Sequence, residues 1–353
     1  MTAVASCASP PAWPKVVERR LYVANKSGLT IFDIGAGHKK LRRIELPETG
    51  NFKGVCVSVS LGRLYVTSYA KDEVVCVDLA TERIVWRKSY GVYGDSPAIT
   101  PDGRTLYVPF RHDGEWWAVD ALSGDTMARI KTGRGQPYEN DPIKDFGPHN
   151  TVCSRDGRRM YLSAMTVPYV FVADTASHRV VSKIGPFTRG VRPFALSDDE
   201  TLLFANVDGL LGFEVADVRT GRVLHRVEAR TPAEREPQVL DRAPHHHTPS
   251  HGVAVRPGTS EVWVSDDVYG YLYVYDASVM PPRHVADVPL FGKPADQPKP
   301  AWITFGIDGR YAYPSCDAVV DADAKRVVAR IDTSERLVEV QFEGGRVVRA
   351  GRR

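Results

Sequence analysis

The chain of 353 residues has no apolar run of membrane-spanning length, so no transmembrane helix is expected. It lacks the HExxH and CxxC pairings that would announce a metal site from sequence alone. No stretch carries a helical hydrophobic period, which argues against bundles and alternating α/β folds. The net charge of only +3 is spread along the chain without a basic stripe, so nucleic acid is not an expected partner, and neither is a membrane. The opening MTAVASCASPPAWP has no basic start and no continuous apolar core; residues 1–16 are read as a flexible leader rather than a secretory signal. Cysteine is scarce and odd in number, at five. Cys56 and Cys76 fall on strands of one repeat with a strand between them, about two spacings of 4.8 Å, too far to bridge. Thiols used as small core residues point to a reducing compartment and a cytoplasmic location. Arginine over lysine, with abundant Ala and Val, fits a GC-rich bacterial source.

What the chain does have is a period. Asp33, Asp78, Asp120, Asp174, Asp217, Asp276 and Asp321 recur in similar surroundings, most of them closing an apolar run such as VVCVD, WWAVD or YVYD. Their separations are 45, 42, 54, 43, 59 and 45 residues. Several short strands per period of this length predict a β-propeller. In the second repeat GVCVSV, RLYVTSY, EVVCVDL and RIVWRKS read as four strands, rich in Val and Tyr and bounded by Gly and Asp turns. The aspartates themselves are expected to cap turns through backbone amides.

The first repeat has only RLYVAN, LTIFDI and LRRIEL, and lacks an inner strand. The C-terminal LVEVQFEGGRVVRA supplies an inner strand, a turn and a further strand. The prediction is therefore an all-β, seven-bladed propeller of four-stranded antiparallel blades, one domain over 17–353, closed by the C-terminus in blade one. The phrases LYVANK (21–26), LYVTSY (64–69) and TPDGRTLYVPF (100–110) resemble the YVTN-repeat propellers, in the wider group that includes amine dehydrogenase heavy chains. That resemblance runs from about Arg19 to Arg349. It implies the fold and leaves function open among cofactor-bearing subunits, lactonase-like enzymes, lyases and binding scaffolds.

Aligning the repeats on the turn after each inner strand shows what stands at each channel entrance. Asp95, His149, Arg192 and His251 share one slot, with Lys53 in blade two, Glu335 or Arg336 in blade one, and the apolar Ala301 and Trp302 in blade seven. Ionisable groups aimed at one axis make a candidate site for a small organic molecule. The two long gaps reinforce this. They insert the loops 131–148 and 228–250 directly ahead of His149 and His251, and the second carries His245, His246 and His247.

Two histidines from separate blades plus His247 could hold a divalent transition metal, zinc, copper or iron, with an open position for chemistry. Asp95 and Glu139 are candidate bases or oxygen ligands, and Arg192 joins them as a catalytic candidate. Lys53, Arg111, His112, Trp116, Tyr169, Asp267 and Tyr269, from neighbouring loops, are the expected substrate wall. Four readings stay open: a metal-assisted hydrolase or lyase, a copper or iron redox enzyme, a metal-free acid–base enzyme, and a non-catalytic binding propeller.

Overall fold

The computed structural model describes residues 17–136, 146–229, 248–291, 300–333 and 336–351. All of its regular elements are β-strands, and no helix among the described residues is long and apolar enough to cross a membrane. The strands form seven antiparallel sheets arranged as a propeller. Blade two runs from the axis outward as Phe52–Ser58, Arg63–Ser68, Glu73–Asp78 and Ile84–Ser89, the order read from the sequence.

Seven apolar clusters, one per blade interface, account for the ring. Tyr65, Val74 and Cys76 of blade two pack on Leu106, Val108 and Trp117 of blade three. Tyr107 and Trp116 of blade three then meet Met160 and Leu162 of blade four. The series ends where Tyr313 and Val319 of blade seven meet Leu21, Val23 and Phe32 of blade one. Successive side chains of a strand point to opposite faces, and here both faces are covered by a neighbouring blade. That is why the second and third strands are buried almost throughout, while the outer strand Ile84–Ser89 alternates between half-buried and exposed.

The recurring aspartates are turn caps, as expected. Asp78 accepts from the backbone N–H groups of Ala80 at 3.1 Å and Thr81 at 2.7 Å, and Asp120 from those of Leu122 and Ser123, both at 2.8 Å. Asp33, Asp174, Asp217, Asp276 and Asp321 make equivalent bonds to amides two or three residues on. The tyrosine of the second strand is a further repeated device. Tyr65 donates to the carbonyl of Ala121 at 2.8 Å, Tyr107 bonds His178 Nδ1 at 2.8 Å, and Tyr313 bonds His38 Nε2 at 2.9 Å, each reaching the next blade.

Closure joins the two ends of the chain. Leu337–Glu343 pairs antiparallel with Val17–Asn25 and supplies blade one's inner strand. Arg19 donates to Glu339 at 2.8 Å and reaches Asp308 of blade seven at 2.7 Å, while the Ile307 amide donates to Glu339 at 2.9 Å. Beyond what the sequence reading resolved, Arg346–Ala350 does not continue around the blade. It folds back on the axis side as a fifth strand. The described cysteines, Cys56, Cys76, Cys153 and Cys316, are unbridged. The leader, residues 1–16, lies outside the described residues.

Two outcomes follow. Val338, Val340 and Phe342 are buried in the blade one–two core, and at about 1.5–3 kcal/mol each their loss approaches the ~5–15 kcal/mol stability of a whole domain. A chain ending at Thr333 is therefore expected to yield no soluble monomer by size exclusion, and a normal monomer peak would refute the closure. Second, burial, aided by Arg19, lowers the His38 pKa from 6.5 to about 4. The unfolded chain protonates first, so this contribution is complete above pH 6.5 and is lost as pH falls toward 4. The melting temperature of the parent should drop more steeply over that window than that of His38→Gln.

Candidate functional site

Each inner strand begins at the same end of the channel, so the residue at its start is forced toward the axis. Contacts between blades that are not neighbours verify this, because side chains can meet that way only on the axis. Arg336 of blade one approaches Asp95 of blade three at 3.8 Å. The rings of His149 in blade four and Trp302 in blade seven stack with centroids 5.9 Å apart. His251 of blade six stands edge-on to Trp302 at 5.3 Å and 6.1 Å from the His149 ring. The slot alignment from sequence is thus realised by Asp95, His149, Arg192, His251, Trp302 and Arg336 as a belt across the channel, with Lys53 half-buried at blade two's entrance.

Asp95 is the centre of this belt and is fully buried. Arg111 donates to its Oδ2, Ser96 Oγ donates to Oδ1 at 2.9 Å, and His149 Nε2 lies 3.8 Å from Oδ2. Burial alone would push the carboxyl's pKa up. The charge of Arg111, with Arg336, outweighs it and holds the group well below the usual carboxylate range. A carboxylate held so firmly ionised is a poor proton acceptor at neutral pH. Its geometry suits an electrostatic anchor better than the general base read from the sequence. Arg192 is paired likewise. Its Nε donates to Asp208, which also accepts from Thr248 Oγ1 at 2.9 Å.

His149 is buried, and burial is the chief cause of a pKa well below 6.5. Asp95 pulls the other way, while Arg111, His251 and Arg192 add to the lowering. The imidazole is therefore neutral. Its Nδ1 is engaged by the Asn150 side-chain amide. With Asn150 donating, the ring proton sits on Nε2, which faces Asp95.

Of the expected substrate wall, Arg111 joins the belt and Asp267 lies beside it, its amide donating to the carbonyl of Pro249 at 2.9 Å in the stretch that leads to His251. Lys53 Nζ stands 5.7 Å from the Tyr69 ring centre. The exposed His112 packs edge-on against Tyr93 at 5.2 Å. Three expectations are corrected. Trp116 is fully buried in the blade three–four core, its Nε1 donating to Thr151 Oγ1 at 2.9 Å, because the third strand has a blade on each side. Tyr169 lies under the Lys183 ammonium of the outer strand at 4.0 Å, at the rim of blade four. Tyr269 is buried in the blade five–six core, its amide capped by Asp266 at 2.8 Å. Glu139, His245, His246, His247 and Glu335 lie outside the described residues.

Sequence reasoning missed Asp208, Thr248, Asn150 and Tyr93. None shares the slot that the alignment used: Asn150 is the next inner-strand residue after His149, Asp208 follows a second strand, and Tyr93 and Thr248 come from loops. Among the described residues no three His, Cys, Asp or Glu side chains are grouped to hold a metal ion. Beyond the belt, toward the opposite face, the channel widens into a cavity of about 890 Å³. Inner-strand residues such as Val57, Val152 and Phe194 line it, with Val348 and Ala350 of the folded-back strand. Asn150 and Trp302 also line that space, so it adjoins the belt.

No protein-family profile and no curated protein matches the chain. Solved structures do resemble it in shape. Hydrazine synthase of Kuenenia stuttgartiensis superposes with a TM-score of 0.67 at 17% identity, covering 87% of this chain and 96% of that one. A mitotic checkpoint complex gives 0.63 at 11%, with 92% and 96% covered. The dihydro-heme d1 dehydrogenase NirN gives 0.60 at 14%, with 98% and 75% covered. At such identities the likeness establishes the seven-bladed propeller and nothing finer, and the neighbours include enzymes and a non-enzyme alike.

Removing one partner of a buried ion pair typically costs ~3–5 kcal/mol. Asp95→Leu should lose about that much in urea denaturation, whereas Lys53→Gln, at the half-buried edge, should stay within ~0.5 kcal/mol. Equal stabilities for the two variants would remove Asp95 from the centre of the belt.

Proposed function

We propose that the channel mouth is an active site for a small organic anion, bound by the belt arginines and handled by acid–base chemistry at His149 and His251. The observation that carries this reading is a neutral, buried imidazole beside Arg111 and Arg192, with Arg336 reaching the neighbouring Asp95. Guanidinium groups are well matched to carboxylates. An arriving anion offsets their charge and moves the His149 pKa back up toward the working range of a general base or acid. Asp95 keeps Arg111 and Arg336 oriented, and Asp208 does the same for Arg192. His251, edge-on to Trp302, is the second proton-handling group. Proton transfer beside a carboxylate or ester is the chemistry of lyases and lactonases, which agrees with the resemblance of LYVANK and LYVTSY to the YVTN-repeat propellers. Unbridged thiols favour a reducing, cytoplasmic setting.

A metal reading is the second proposal, favoured by the 6.1 Å between the two imidazole centres. Two histidines on one zinc, with bonds of about 2.0–2.1 Å, have ring centres roughly 5–6 Å apart. His149 and His251 would be the ligands, and the ion would supply Lewis-acid or redox chemistry. Against it stand the Asn150 amide on His149 Nδ1 and the concentration of arginines.

Succinate and citrate should raise the melting temperature of untagged protein, and their neutral amides should not. Because binding raises the His149 pKa, calorimetry in buffers of different ionisation enthalpy should detect proton uptake on binding near neutral pH. Binding without proton uptake would leave a plain binding site. Stoichiometric metal in the untagged protein, lost in His149→Ala and His251→Ala, would replace the anion reading by the metal one.

A further inference from the structure

Between blades two and three the mouth carries an aromatic group that the belt does not use. Tyr69, at the end of blade two's second strand, is 45% exposed and packs edge-on to Tyr93 with ring centres 4.3 Å apart. Tyr93 is almost wholly buried between Tyr69 and His112, 5.2 Å away on its other contact. Its hydroxyl is buried with no hydrogen-bond partner among the described residues. Two cations flank these rings: Lys53 Nζ stands 5.7 Å from the Tyr69 centre and Arg111 Cζ 5.7 Å from the Tyr93 centre. Arg111 also holds Asp95, so the aromatic group is continuous with the belt.

An exposed tyrosine ring kept in place by a second, buried ring is a rigid, flat platform. Aromatic pairs are favoured in offset-stacked or edge-on arrangements, and the cations beside this platform select for negative charge on the same ligand. Aliphatic anions would use the cations and leave the platform uncovered. Neutral aromatics would use the platform and bring no charge to Lys53 and Arg111.

We propose that the mouth is selective for aromatic carboxylates, with the ligand ring on Tyr69, backed by Tyr93, and its carboxylate toward Lys53 and Arg111. This deepens the anion reading above and rests on it. Lys53 and Tyr69 are specificity-determining residues, and Tyr93 positions Tyr69.

The test is a set of calorimetric titrations of the full chain with 2-naphthoate, cyclohexanecarboxylate and 2-naphthalenemethanol. The parent should bind 2-naphthoate about fivefold or more tightly than cyclohexanecarboxylate, in line with the usual gain from an aromatic pair. Tyr69→Ser should abolish that preference while changing cyclohexanecarboxylate binding less than twofold. Lys53→Gln should weaken both carboxylates and leave the alcohol unaffected. Both positions are exposed or half-buried, so the variants should fold, which their circular dichroism checks. Equal binding of the two carboxylates by the parent, or a preference that survives Tyr69→Ser, overturns the aromatic subsite and leaves the anion reading standing. Failure of both carboxylates to bind overturns both.

Discussion

Everything in this molecule depends on the ring being closed. Each blade has two apolar faces and can cover them only with neighbours, so an open array would leave two faces and two strand edges bare. The chain meets that demand by placing its last long strand inside its first sheet. The Arg19–Glu339–Asp308 network fastens that strand to blade seven as well as to blade one. Once the ring is closed, geometry does the rest. Seven inner strands begin around one axis, and whatever residue stands at each start is driven toward the others.

This explains how a surface with ordinary, balanced composition produces a concentrated charge cluster. Asp95, His149, Arg192 and Arg336 are far apart in sequence and would be unremarkable as surface residues. Convergence buries them, and burial makes each depend on its partners. The carboxylate is kept ionised by guanidinium groups and the imidazole is kept neutral beside them. Opposed environments for two titratable groups a few ångströms apart are a common basis for dividing chemical roles. Here they set a fixed charge, Asp95, beside an uncharged ring, His149.

The fold was readable because its determinants are local and repeated. Capping aspartates mark the same point in each blade, as does a second-strand aromatic that is tyrosine in all but blades five and six, and a one-residue slot in that register brought His149 and His251 together on the axis. The reading failed where position in the loop was not enough. Trp116, Tyr169 and Tyr269 all follow the second strand, near the mouth in sequence. Strand alternation and turn direction send them into a blade interface or to the rim. Asp208 and Thr248 escaped notice because their role is to hold Arg192, and a supporting partner has no sequence signal independent of the group it supports. The return of Arg346–Ala350 along the axis was equally hidden, since a hairpin after Gly344 and Gly345 can turn either way.

That returning strand and the belt together change what kind of passage the propeller provides. A hole through a ring would let a molecule enter on one side and leave on the other. Here the side chains of opposite blades touch at one level, and a fifth strand occupies part of the bore below it. The belt thus sets a charged mouth at one end of the bore against a larger space walled by the inner strands at the other, and the folded-back strand gives that second space a lining that no other blade supplies.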